Sequence, residues 1–68
     1  MKRYNTAKLI AARLEKGWSQ SKVAAIADVL PATVYRVENG LYHKPETVAK
    51  IAAVLGVDMC ELMIKGSR

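Results

Sequence analysis

Among the side chains of this 68-residue chain that can do chemistry, the cations dominate. Eleven Lys and Arg stand against six Asp and Glu, a formal net charge of +5. The inventory for catalysis is thin. His43 and Cys60 each stand alone as the single residue of its kind, so neither a His/Cys metal cluster nor a Cys–His nucleophile pair can be assembled from them. Glu15, Glu38, Glu46 and Glu61 show no paired arrangement for acid–base work, and the glycines sit singly at element ends, leaving no glycine-rich phosphate cradle. No enzyme, metal, cofactor or small-molecule ligand is therefore expected. The charge itself is segregated: residues 1–44 hold eight Lys/Arg and three acids, whereas residues 45–68 hold three of each. A basic face in the first two-thirds suits phosphate, in nucleic acid or on a membrane surface, and would also serve as an ordinary solvated surface.

The elements that position these charges must come from one small domain, residues 1–68. At 51% hydrophobic residues the chain is too apolar for a disordered polycation. A single Cys excludes an internal disulfide, and with it the secreted, disulfide-stapled class. No apolar run reaches the ~18 residues of a membrane span, and Met1-Lys2-Arg3 is not followed by a signal-peptide core. A cytoplasmic location without membrane contact is expected.

Glycine and proline punctuate the chain into five short helices with no strand alternation. Asn5-Thr6 offers an N-cap to a helix from Ala7 to Lys16, in which Ala7, Ile10, Ala11 and Leu14 recur at helical spacing and Gly17 is the stop. Ser19 caps a second helix, Gln20 to about Ala27, with Val23, Ala24 and Ala27 on one side. Asp28-Val29-Leu30 reads as a turn, and Pro31 suits the first position of a third helix ending at Glu38, before Asn39-Gly40. A loop leads to Pro45 and a fourth helix stopped by Gly56; Asp58 caps a fifth, Met59 to about Ile64. Trp18 is expected to plug the corner between the first two helices.

Two helices joined by a three-residue turn, residues 19–40, form a helix-turn-helix, whose second helix can enter a DNA major groove. Val23, Ala24, Ala27, Val29, Val34 and Val37 point inward in this arrangement. The outward face of the second helix shows Pro31, Ala32, Tyr35 and Arg36, with Thr33 beside them. The stretch 54–64 (Val54, Leu55, Val57, Met59, Cys60, Leu62, Met63, Ile64) holds more apolar residues than one face of a short helix can bury. Exposed apolar surplus of this kind marks a partner site. A homodimer interface is expected there, centred on Val57, Met59, Cys60 and Met63; the alternative is that the helix wraps inward and buries nearly all of these residues.

The segment resembles the phage Cro and repressor-type helix-turn-helix family (XRE-like). The resemblance rests on Ser19-Gln20, Val23-Ala24, Val29, Thr33-Val34 and Arg36-Val37-Glu38-Asn39-Gly40, and continues through Pro45, Val48, Ile51, Ala52 and Leu55-Gly56-Val57. It runs from about Leu9 to Leu62. It implies an all-α, five-helix lambda-repressor-like DNA-binding domain with the helix-turn-helix at helices 2 and 3. It also implies roles for particular residues. Ser19, Gln20, Asn39, Gly40, Tyr42 and Lys44 would contact phosphates, which position a protein without reading sequence. Base reading would fall to Pro31, Ala32, Thr33, Tyr35 and Arg36. The Arg36 guanidinium can donate bidentately to guanine, whereas Pro31 and Ala32 offer only apolar contact to thymine methyls. Arg13 and Glu38 match a structural ion pair.

This sequence departs from the family pattern in its turn. Asp28 stands where Gly is usual, and Leu30 where a Ser or Thr N-cap is usual. The expected function is a Cro-like repressor that binds a palindromic operator in double-stranded DNA as a homodimer. The competing expectation is an antitoxin-like or other protein-interaction module on the same fold, since fold alone does not fix function.

Overall fold

The computed structural model describes residues 4–41 and 44–62, which form five helices in chain order: α1 Thr6–Glu15, α2 Gln20–Ala27, α3 Pro31–Glu38, α4 Pro45–Leu55 and α5 Met59–Leu62. Four of the five starts have a local cause. The Ser19 hydroxyl accepts the Lys22 N–H at 3.0 Å to cap α2, while Pro31 and Pro45 occupy first-turn positions of α3 and α4, where a missing N–H costs nothing. Asp58 Oδ1 accepts the Cys60 N–H at 3.2 Å at the start of α5. Asn5 precedes α1 without a side-chain cap; its N–H instead donates to the Leu62 carbonyl at 2.6 Å, tying the start of the chain to α5.

Helices α1 to α4 all stop by the same device. In each, a residue with positive φ is followed by an apolar one whose N–H reaches back five residues around the turn: Trp18 to Arg13 (3.2 Å), Val29 to Ala24 (2.9 Å), Leu41 to Arg36 (2.9 Å) and Val57 to Ala52 (2.9 Å). This is the Schellman closure. Gly17, Gly40 and Gly56 supply the left-handed residue in three of them; in α2 it is Asp28, at φ 63° and ψ 47°. A side chain there is strained where glycine is not.

The core draws on every helix: Leu9 from α1; Val23, Ala24 and Ala27 from α2; Val34 and Val37 from α3; Val48, Ile51, Ala52 and Leu55 from α4; Leu62 from α5. Helix α2 packs against both α3 and α4, and α1 packs against α3, α4 and α5. Trp18 is half-buried against this core, and the Lys16 and Lys22 ammoniums lie 5.2 and 5.8 Å from its ring centre. Both distances are within cation–π range.

The residues Ala7, Ile10, Ala11 and Leu14, which recur at helical spacing, do not form the buried side of α1: Ala7, Ala11 and Leu14 are exposed, Leu14 by 62%, and Ile10 is half-buried. Leu9 is buried instead, with Ala12 and Arg13 half-buried beside it. The rotation follows from Arg13 turning inward, which carries Leu9, one turn before it, into the core. Of the C-terminal apolar stretch the structure describes residues 54–62, and most of these pack inward. Leu55 and Leu62 are buried, and Val54, Val57 and Met59 pack against the core, leaving Cys60 exposed. Met63 and Ile64 lie outside the described residues. Among the described residues the exposed large apolar side chains are Leu14, Ile26, Leu30, Tyr35 and Leu41, all before α4.

Candidate nucleic-acid interface

The outer surface of α2 and α3 is built on a buried polar knot. Glu38, the last residue of α3, has a side chain 3% exposed. Burying a carboxylate without partners would be prohibitive, and Glu38 has three donors. Arg13 Nε reaches Oε2 at 2.6 Å, Arg13 Nη2 reaches Oε1 at 3.1 Å, and Gln20 Nε2 reaches Oε1 at 2.9 Å. Arg13 Nη1 adds a bond of 3.0 Å to the Trp18 carbonyl. The Glu38 carboxylate thus ties α1 and the start of α2 to the end of α3, and Arg13 extends the tie to the α1–α2 corner. No buried side-chain N or O is left unpartnered among the described residues.

With the only acid of the two helices turned inward, their outward surfaces carry no negative side chain. Lys22 on α2 and Arg36 on α3 are exposed. Pro31 and Tyr35 lie one turn apart on α3, as do Ala32 and Arg36, so these four share its outer side. All four are exposed, Tyr35 by 55%, whereas Thr33 is half-buried. At the N-terminus of α2, the N–H groups of Gln20 and Ser21 precede the first helical bond, from Val23 to Ser19. Such groups, aided by the helix dipole, attract anions.

The expected phosphate contacts sit in different states. Ser19 is exposed, with its oxygen committed to the cap. Gln20 is half-buried with one amide hydrogen given to Glu38; its second amide hydrogen and its backbone N–H are what it can offer a phosphate. Asn39 is exposed, and its Nδ2 donates to the Tyr35 carbonyl at 2.7 Å, closing the end of α3. Gly40 and Lys44 are exposed, Lys44 immediately before α4. Tyr42 and His43 lie outside the described residues. The part played by Gln20 in the knot and the pairing of Lys22 with Trp18 were not visible in the sequence, because their partners are set by tertiary packing.

A helix-turn-helix family model matches residues 9–62, most of the chain. The chain belongs to the Cro/repressor-type helix-turn-helix family. As a family member it is a DNA-binding regulator of the XRE type, and its five helices are those of this family's domain. A comparison with curated proteins gives no significant match. Among the described residues, no helix is long and apolar enough to cross a membrane, and no group of three or more His, Cys, Asp or Glu gathers as a metal site.

Proposed function

We propose that this helix-turn-helix protein is a sequence-specific, cytoplasmic repressor that binds a palindromic operator as a homodimer and blocks a promoter by occupying it. One observation carries the reading: α2 and α3 expose Lys22 and Arg36 while their single acid, Glu38, is buried on Arg13 and Gln20. A face so neutralised internally is complementary to a polyanion. In this reading α3 enters the major groove. Arg36 donates to a guanine edge, and Pro31, Ala32, Thr33 and Tyr35 lie against neighbouring bases. Ser19, Gln20, Asn39, Gly40, Tyr42 and Lys44 hold the phosphates on either side.

Two copies place their α3 helices in successive major grooves about 34 Å apart. The surface around Val57, Met59, Cys60 and Met63 joins them, through the partial exposure that Val57 and Met59 keep and the open position of Cys60. The test is selection of bound duplexes from a random pool at stated salt. The expected product is an inverted repeat with half-sites about one helical turn apart. Recovery of duplexes with no shared sequence would defeat the specific-operator reading. A single unrepeated site, with a monomer mass on DNA, would defeat the dimer.

A further inference from the structure

Helix α3 stops on an Asn-Gly pair, Asn39–Gly40, which is chemically labile wherever it is free to move. An asparagine amide is open to attack by the backbone nitrogen of the next residue, and glycine, with no side chain, hinders that attack least. The chain's other asparagine, Asn5, is followed by Thr6, whose branched Cβ crowds the same approach. In the folded chain every group the reaction needs is committed. Asn39 Nδ2 donates to the Tyr35 carbonyl at 2.7 Å. The Gly40 N–H donates to the Val37 carbonyl at 3.1 Å, and the Leu41 N–H to the Arg36 carbonyl at 2.9 Å. With Asn39 at ψ 10°, the Gly40 nitrogen nearly eclipses the Asn39 nitrogen and is turned away from the side chain it would attack. Yet Asn39, Gly40 and Leu41 are all exposed, so little buried surface resists their opening.

We propose that Asn39–Gly40 is a self-modification site, deamidated when the end of α3 opens and shielded when DNA holds it closed. The Gly40 nitrogen gives up its proton and attacks Asn39 Cγ. The Cγ–Nδ2 bond breaks, and ammonia leaves carrying a proton in exchange. Water then opens the resulting succinimide at either carbonyl, giving aspartate or isoaspartate. Both products put a carboxylate where an amide stood. It has no hydrogen to donate to the Tyr35 carbonyl or to a phosphate, and it lies at the negative end of the α3 dipole. Isoaspartate also adds a carbon to the main chain inside the ring that Leu41 closes on Arg36. The effect on DNA rests on the DNA-binding reading, in which Asn39 and Gly40 hold a phosphate; the reaction itself does not.

Peptide mapping by mass spectrometry follows Asn5 and Asn39 at neutral pH in three samples: the protein alone, the protein unfolded in urea, and the protein saturated with the duplex enriched by random-pool selection. Conversion of Asn39 is fastest in urea, slower in the free fold and slowest on DNA, while Asn5 stays intact. Affinity of the free protein for selected and unrelated duplexes falls in step. The fully converted protein binds about tenfold more weakly, the loss of one hydrogen bond to a charged group. Asn39→Asp, prepared directly, is as weak from the start. Asn39→Gln, whose longer side chain closes its ring slowly, keeps whatever affinity it begins with. An Asn39 that reacts in urea but not in the free fold overturns the proposal, because the closure then never opens. So does an Asn5 that reacts as fast as Asn39. Equal rates with and without DNA overturn the shielding, and conversion with unchanged affinity overturns its consequence; both leave the DNA-binding reading intact. Failure to bind any duplex removes that reading and the shielding with it, and the rates in free and unfolded protein still decide the site.

Discussion

Arg13 and Glu38, 25 residues apart in the chain, meet in a two-point fork, Nε to Oε2 at 2.6 Å and Nη2 to Oε1 at 3.1 Å. The fork joins α1 to the end of α3, and Gln20 extends it to the start of α2. A planar guanidinium fixes angle as well as distance when it binds both carboxylate oxygens. The pair therefore holds the two helices of the helix-turn-helix in one orientation relative to α1. It also removes from the outer surface the one negative charge that α2 and α3 carry.

Removing one partner strands the other inside the protein. Arg13→Ala is expected to lower stability by ~3–5 kcal/mol, the range for breaking a buried pair. Arg13→Lys should lose less, because it keeps the charge and loses the fork. Replacing both partners, Arg13→Met with Glu38→Leu, should recover much of the loss of Arg13→Ala. Urea unfolding followed by circular dichroism measures all three. A double variant less stable than Arg13→Ala would contradict the geometry described above.

The stop of α2 offers a gain. Of the four Schellman closures, α2 alone uses a residue with a side chain, Asp28 at φ 63°. Glycine occupies that region freely, although it also frees the unfolded chain. Asp28→Gly is expected to raise stability by about 0.5–1 kcal/mol net. Asp28→Val should be clearly destabilising, because a β-branched residue tolerates positive φ least. Thermal melts of the three proteins at one concentration check the order Gly above Asp above Val.

Much of this architecture is legible in the residues, and the failures have identifiable causes. Helices α2 and α3 begin and end where Ser19, Pro31 and the turn residues put them, because these signals act within a few positions. The side of α1 that faces inward is not legible. Leu9, Ala12 and Arg13 recur at helical spacing as well as Ala7, Ile10, Ala11 and Leu14 do, and Glu38, far along the chain, decides between them. The inward packing of the described part of the C-terminal stretch is not legible either. Counting apolar residues on one short helix ignores that Val54, Val57 and Met59 lie where the end of α4 folds back onto the core. In the candidate site, the outward set Pro31, Ala32, Tyr35 and Arg36 is legible, since it needs only the period of one helix. The commitment of Gln20 to Glu38 is not, because it depends on how two helices meet.

Arg36 is exposed on α3, so its removal tests the interface without disturbing the core. Arg36→Ala is expected to weaken binding to the selected duplex by ~1–3 kcal/mol and to relax preference at one base pair. Fluorescence anisotropy against the selected duplex and its single-base variants reads both effects. Unchanged specificity would remove Arg36 from base reading, whatever happens to affinity.

Lys44 stands apart from that face, exposed at the start of α4, and a cation there predicts a different signature. A phosphate contact releases counterions and carries no sequence information, so its loss weakens every duplex alike. Lys44→Ala should lower affinity for selected and unrelated duplexes by the same factor. It should also make the slope of log affinity against log salt shallower by about one. Arg36→Ala alters the ratio of selected to unrelated binding, whereas Lys44→Ala preserves it. Titrations of both duplexes at several salt concentrations separate the two. A Lys44→Ala protein with an unchanged salt slope would place Lys44 away from the phosphate backbone, and a changed ratio would move it to the reading side of the interface.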